Sequence, residues 1–359
     1  MKVPTPIESP NGESLDKLCD LLRQWSSRWG TVEQWPAESL RACGAAGVYR
    51  WFLPKDHGGM GWSERDQTIG YLRLAEADLT TTFVITQYMG AIRRIAAAEN
   101  QAVAERWLQA LVDGERFATV GISHLTTSRR HLAQPVLRAS EVDDGYVLDG
   151  MAPWVTGAAH ADLIVTGATL DDGRQILLAV PSKLPGVESG RGVELVALSA
   201  SCTDAVHFNG VQVARSMLLG GPVENVLQSG VGARTGGLQT STLAVGLSRA
   251  ALRYLREESA RRDDLRDATD ELARELDSLE STLLRASAGE ATCDASEIRG
   301  QANRLVLRTT QAALTAAKGA GFVEGHPVGR WCRESLFFLV WSCPQPVLHA
   351  HFCELAFGR

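Results

Sequence analysis

Between residues 13 and 113 apolar side chains recur at helical spacing, as in Leu15, Leu18, Leu21, Leu22 and Trp25, and again in Ala104, Trp107, Leu108 and Leu111. This stretch predicts a series of amphipathic helices. One break interrupts it. In Leu53-Pro-Lys-Asp-His-Gly-Gly-Met-Gly-Trp62 the glycines permit backbone conformations closed to other residues, which predicts a shaped turn. From Phe117 to about Leu219 the pattern becomes short and β-rich, with strands predicted at Tyr146–Leu148, Asp162–Thr166, Gln175–Val180 and Ala205–Val213. Asp143-Asp-Gly145, Asp171-Asp-Gly173 and Asn209-Gly210 supply the turns, and together these segments predict an antiparallel barrel or sandwich. After Glu224 the helical period returns and runs almost to Arg359, with a charged stretch from Arg253 to Glu275 that reads as a solvated face or a subunit contact.

Helices, then strands, then helices is an α+β order, and it excludes a doubly wound nucleotide fold. The same boundaries divide the chain into an all-α domain over 1–114, a β domain over 115–222 and a C-terminal helical bundle over 223–359. Neither a G-x-G-x-x-G opening a helix nor a P-loop occurs.

Composition narrows the partners. The 42 acidic and 36 basic residues are dispersed and leave a net charge of -6, so no basic face recommends nucleic acid or an anionic membrane. The N-terminus has no apolar run of signal-peptide type and no later run has membrane-spanning length, which predicts a cytoplasmic protein. Seven scattered cysteines without a C-x-x-C pair predict neither a disulfide framework nor a structural zinc. His349, His351 and Cys353 are the nearest thing to a metal set, and helical spacing turns His351 away from the other two, so no metal is expected.

Four segments in order carry a resemblance. Pro54-Lys-Asp-His-Gly-Gly-Met-Gly61 is similar to a P-x-E-x-G-G-x-G turn. Gly150-Met-Ala-Pro-Trp-Val-Thr-Gly-Ala-Ala-His-Ala-Asp162 is similar to G-x-K-x-W-I-T-N-x-x-x-A-D, with Ala152 where lysine is usual. Val206-His-Phe-Asn-Gly-Val-Gln-Val213 resembles a strand that closes a β domain, and Gly319-Ala-Gly-Phe through Arg330-Trp-Cys-Arg-Glu334 resembles a G-x-G-(Y/F)…R-x-x-R-D segment. Over nearly its whole length the chain resembles the acyl-CoA dehydrogenase family. That resemblance implies a C-terminal four-helix bundle, an acyl thioester or related small-molecule substrate, FAD as cofactor, and a homodimer or homotetramer whose FAD site crosses a subunit boundary.

A flavin needs a flat apolar surface against its ring and rigid donors at its polar edge. Trp154 and Thr156, two apart on an extended segment, supply one of each from the same strand face, although a core tryptophan beside a strand threonine has the same spacing. The resemblance places both beside the isoalloxazine ring, with Ile122 and Ser123 at the end of the first strand as further contacts. After Ser123 the family's T-E-P-x-x-G-S-D is replaced by Ser123-His-Leu-Thr-Thr-Ser-Arg-Arg130, so Arg129, Arg130 and His131 either reshape the substrate wall or form a basic surface loop. By the same match Arg262 reaches the FAD pyrophosphate of a neighbouring subunit, with Arg256 and Arg261 as competitors, while Gly319 and Ala320 allow close backbone approach to the cofactor.

Dehydrogenation of an acyl thioester needs a base for the α-proton, and the family commonly uses a glutamate. Eight residues after Glu334 the corresponding position is Ser342, and the earlier segment Gly232-Ala-Arg-Thr-Gly-Gly-Leu-Gln-Thr-Ser-Thr242, where other members carry the base, has no carboxylate. The catalytic base is therefore unassigned. Three functions follow: an FAD-dependent oxidoreductase with unassigned acid-base chemistry, a flavin-dependent monooxygenase that needs no such base, and a non-catalytic subunit that completes the site of a homologous partner. Cys343, beside Ser342, reads as a packed thiol.

Overall fold

A computed structural model of the chain describes residues 6–126, 135–228, 237–290 and 294–357. Five helices come first: α1 (Glu13–Trp25), α2 (Ala37–Ala45), α3 (Glu64–Ala77), α4 (Leu79–Ala96) and α5 (Ala102–Val112). The central region holds β1 (Ala118–Gly121), the one-turn α6 (Ser123–Thr126), β2 (Leu137–Val142), β3 (Gly145–Val155), β4 (Leu163–Thr169), β5 (Gln175–Pro181), β6 (Val187–Ser189), β7 (Asp204–Ala214) and β8 (Leu218–Val223). Helices α7 (Gln239–Ser259), α8 (Arg266–Ser287), α9 (Ala295–Ala317), α10 (Pro327–Leu336) and α11 (Gln345–Phe357) complete an α+β fold. Among the described residues no helix is long and apolar enough to cross a membrane.

The periodicity buries the faces it marks. Leu15, Leu18, Leu22 and Trp25 of α1 and Ala104, Leu108 and Leu111 of α5 enter the core. The glycine-rich turn before α3 is as constrained as its composition implies: Gly58 and Gly61 have positive φ, and a Cβ on Gly59 would lie 2.0 Å from the Leu53 carbonyl oxygen.

The strands form one sheet in the order β6-β7-β3-β2-β4-β5-β8, with β1 added to β4. Most neighbours are antiparallel, as turn signals between successive strands require, but β1 runs parallel to β4 from Ala118↔Leu163 to Gly121↔Thr166, and β2 meets β4 in parallel at Arg138↔Thr169. These parallel contacts join segments distant in sequence, which local turn chemistry cannot specify. β1 and β4 are buried throughout apart from Thr169, and β1 also packs against α4.

A single residue, Asp78, links α3 to α4. Its backbone is extended, and its buried carboxylate caps α4 by accepting from the Thr81 N–H at 3.2 Å and the Thr81 hydroxyl at 2.6 Å, while Trp29 Nε1 donates to it at 2.9 Å. Burial pushes this carboxyl above its ordinary value, opposed first by Thr81, then by Arg330 and Trp29. Nearby, Arg330 of α10 donates to the Ser26 carbonyl and, at 3.0 Å, to its hydroxyl, and lies 3.4 Å from Glu334. The junction between the first and last helices is thus polar, buried and largely paired.

Two predictions follow. Asp78→Ala strips partners from three buried donors and should cost about 3 kcal/mol in urea unfolding; a loss under about 0.5 kcal/mol would show that the corner does not rest on the carboxylate. Burial pushes Glu334 up to about 7, Arg330 pulling it down and Asp78 adding to the rise. Its folded value therefore exceeds its unfolded one, so the folded state gains from the protonated form. That contribution is complete below the ordinary value of 4.5 and fades as pH rises towards 7. Thermal melts across this window should show Glu334→Gln losing less stability with rising pH than the parent, and identical slopes would contradict the assignment.

Candidate functional site

A cavity of about 1100 Å³ lies where α3, α4 and α7 meet the β domain and the segment between α10 and α11. Its walls differ in chemistry.

On the β side, Trp154 is 52% exposed although Ala152 and Val155 on the same strand are fully buried. A large indole left open in a concave surface is a flat apolar contact for a ligand. Thr156, two residues on, is buried, and its hydroxyl lies 3.0 Å from the Thr203 hydroxyl, which lies 2.8 Å from that of Ser201. Three hydroxyls bring three hydrogens to two mutual contacts, so one hydrogen is left to donate outward. Thr156 and Thr203 both line the cavity, so that end of the chain can present its hydroxyl to a ligand. Ile122 and Ser123, delivered by the β1–β4 pairing, line the same cavity.

A second wall is aromatic. Phe83 of α4 meets Phe337 and Trp341 edge-on, with centroids 4.9 and 5.0 Å apart, and Phe337 stacks on Trp341 at 5.1 Å. Ser342 follows on this wall with φ 46°, a strained conformation for a residue with a side chain. The turn is held from behind: the buried Arg299 of α9 donates to the carbonyls of Phe338 and Trp341 at 2.9 and 2.8 Å, and Asn303 adds a bond to Phe338 at 3.0 Å. Burial lowers the Arg299 guanidinium to about 10 and raises the buried Cys343 thiol, which Arg299 opposes. A raised thiol is a poor nucleophile.

The α3 wall is polar, with Glu64, Gln67, Thr68 and Tyr71 facing the space together with Arg93 of α4. Glu64 is the one carboxylate among the described lining residues. Volume, exposed indole and hydroxyl chain suit a flat ring with a polar edge, which is the chemistry of a flavin.

Five of the residues singled out in the sequence, Ile122, Ser123, Trp154, Thr156 and Ser342, are brought to this one cavity. Arg262, Gly319 and Ala320 are not among its lining residues. Arg262 donates to the Ala316 carbonyl at 2.8 Å, with Asp264 at 3.5 Å and Glu258 at 3.7 Å, just before the exposed turn that carries Gly319 and Ala320. A Cβ on Gly319 would meet nothing within 4 Å, so packing within the chain makes no demand for glycine there. Arg129, Arg130, His131, residues 232–236 and Cys293 lie outside the described residues. His351 sits 3.4 Å from Glu354, and no group of three metal-ligating side chains occurs among the described residues.

Sequence reasoning missed Glu64, Phe83 and Arg93. The signal for Arg93 was present: Arg93-Arg94 interrupts a helix that is otherwise almost wholly apolar or threonine-rich on its buried faces.

Residues 18–115 match the family model for the acyl-CoA dehydrogenase N-terminal domain. Mitochondrial isobutyryl-CoA dehydrogenase of Dictyostelium discoideum is 23% identical over 211 residues, covering 58% of this chain and 50% of that protein. The chain thus spans about half the length of this curated relative. Among solved structures, the glutaryl-coenzyme A dehydrogenase complex with glutaryl-CoA superposes with a TM-score of 0.81 at 18% identity, covering 97% of this chain and 96% of that one. A dibenzothiophene monooxygenase from Paenibacillus superposes with a TM-score of 0.76 at 18% identity over 96% of both chains. At these identities the structural likeness establishes the fold.

Trp154→Ala removes a half-exposed ring with little core to disturb. Its unfolding free energy should stay within about 0.5 kcal/mol of the parent, while FAD affinity in equilibrium dialysis should fall at least tenfold. Unchanged affinity would remove the indole from the cofactor wall.

Proposed function

We propose that this chain, which belongs to the acyl-CoA dehydrogenase family, is an FAD-dependent oxidoreductase acting on an acyl thioester or a related small organic substrate. The observation that supports this most is the grouping of Trp154, Thr156, Ile122 and Ser123 on one cavity that also has room for a substrate. Trp154 would back the ring, and the Thr156–Thr203 hydroxyls would hold its polar edge. A flavin there supplies hydride acceptance. The aromatic wall of Phe83, Phe337 and Trp341 would exclude water from the substrate's reacting carbons.

Proton removal sets the finer choice. Ser342 is a neutral hydroxyl and cannot serve as an α-proton base at neutral pH, and Glu64 is placed on the α3 wall, on another element from the aromatic turn. This favours a second reading on the same scaffold, a flavin-dependent monooxygenase, whose oxygen chemistry requires no such base.

The visible spectrum of the purified protein, before and after FAD is added, tests the shared premise. Flavin bands at one equivalent per chain are expected. Bleaching of those bands by an acyl-CoA under anaerobic conditions would select the dehydrogenase, and oxygen uptake dependent on reduced flavin and substrate would select the oxygenase. Colourless protein at saturating FAD would retire both and direct the search to a homologous partner subunit that completes the site.

A further inference from the structure

Arg93 sits where its charge has no evident internal use. It arises from α4, lines the cavity, donates to the Gln67 side-chain oxygen and lies 5.4 Å from the centre of the Phe52 ring. Those partners are neutral: an amide oxygen and an aromatic face fix the guanidinium's direction without cancelling its charge. The buried Arg94 lines the same cavity and adds a second positive charge.

Tyr71 of α3 shares this wall. It is 5% exposed, and its hydroxyl makes no hydrogen bond of full geometry, the Gln239 side chain of α7 on the same wall being its nearest hydrogen-bonding neighbour; burial holds the phenol protonated, opposed by Arg93 and then by Gln239. A buried polar group without a full set of partners is destabilising, so such groups in a cavity wall mark where a ligand atom completes the set. Both groups can donate. The Gln67 oxygen is taken up by Arg93, and what the wall lacks is an acceptor with negative charge. Glu64 bears the opposite sign but is exposed at the first turn of α3, where solvent screens it. Elsewhere Arg333 and the Thr156–Thr203 hydroxyls also reach the cavity, but the Trp154 indole and the set of Phe83, Phe337 and Trp341 form an apolar zone, so the cavity is zoned rather than uniformly polar.

We infer that the acyl group accepted by this cavity ends in a carboxylate, seated against Arg93 and the Tyr71 hydroxyl, with its carbon chain crossing the apolar zone. This rests on the acyl-thioester reading proposed above. It makes Arg93 a specificity-determining residue, because a half-buried guanidinium on the cavity wall would lose solvent to an alkyl terminus without gaining a counter-charge.

The experiment titrates flavin-loaded protein with succinyl-, glutaryl- and adipoyl-CoA, following the flavin spectrum. Each thioester is paired with an analogue in which an isopropyl group replaces the terminal carboxylate. At least one carboxylate thioester should bind about ten- to a hundredfold more tightly than its isopropyl partner, the range expected of a charge-assisted hydrogen bond. Arg93→Leu should abolish or reverse that ratio, Arg93→Lys should keep part of it, and Tyr71→Phe should reduce it with the flavin content unchanged. The parent comparison requires no variant to fold. Equal affinity for every pair, or an Arg93→Leu loss shared equally by both members, would overturn the inference and leave the acyl-thioester reading standing. Flavin-loaded protein whose spectrum responds to none of the six thioesters would overturn both.

Discussion

The corner between α3 and α4 is one residue long, and the cavity depends on it. Both helices supply walls, α3 through Tyr71 and α4 through Phe83 and Arg93, so the angle at which they leave Asp78 sets how those side chains meet. An extended residue between two helices needs its own restraint. Here the restraint is a buried carboxylate that caps α4 and receives Trp29 from the chain following α1. The cost of burying that charge is offset by directed donors and by Arg330 nearby. The same polar cluster engages α10, the helix from which the aromatic turn and Ser342 extend.

Close approach completes the frame. On α7, Gly246 lies against α3 so tightly that a Cβ would fall 2.7 Å from the Ala75 methyl and 2.8 Å from the Leu72 carbonyl oxygen. Packing of this kind at one point of a helix pair, with Gln239 and Thr242 facing open space further along α7, leaves a cavity beside a rigid contact. Arg299 plays the matching part for the turn at Ser342: it donates to the carbonyls of Phe338, shared with Asn303, and Trp341, and fixes a conformation the local sequence disfavours. Walls held from behind in this way keep an exposed indole and a strained serine in fixed positions.

Much of this was legible in one dimension. The switch from a period of 3.6 to short alternating runs near Phe117, and back after Glu224, marked helices, strands and helices in the order observed, because each element must present one apolar face to the core. Trp154 and Thr156 could be paired from their spacing alone, since an extended strand turns alternate residues to one face. Arg262 was expected, from the family match, to reach the FAD pyrophosphate of a neighbouring subunit, and it stands as an extended residue after α7. Its actual engagement with Ala316 depends on how α7 ends against α9, which no local pattern records.

The sequence by itself determined the elements, the glycine-shaped turn and the residue types available for chemistry, because secondary structure and backbone freedom answer to near neighbours. Tertiary structure alone decided the parallel seating of β1 on β4, the zoning of the cavity, and the meeting of Tyr71, Arg93 and Gln239 on one wall. Those arrangements bring together residues as much as 168 positions apart, from Tyr71 to Gln239, and such contacts are fixed by packing and burial rather than by any period along the chain.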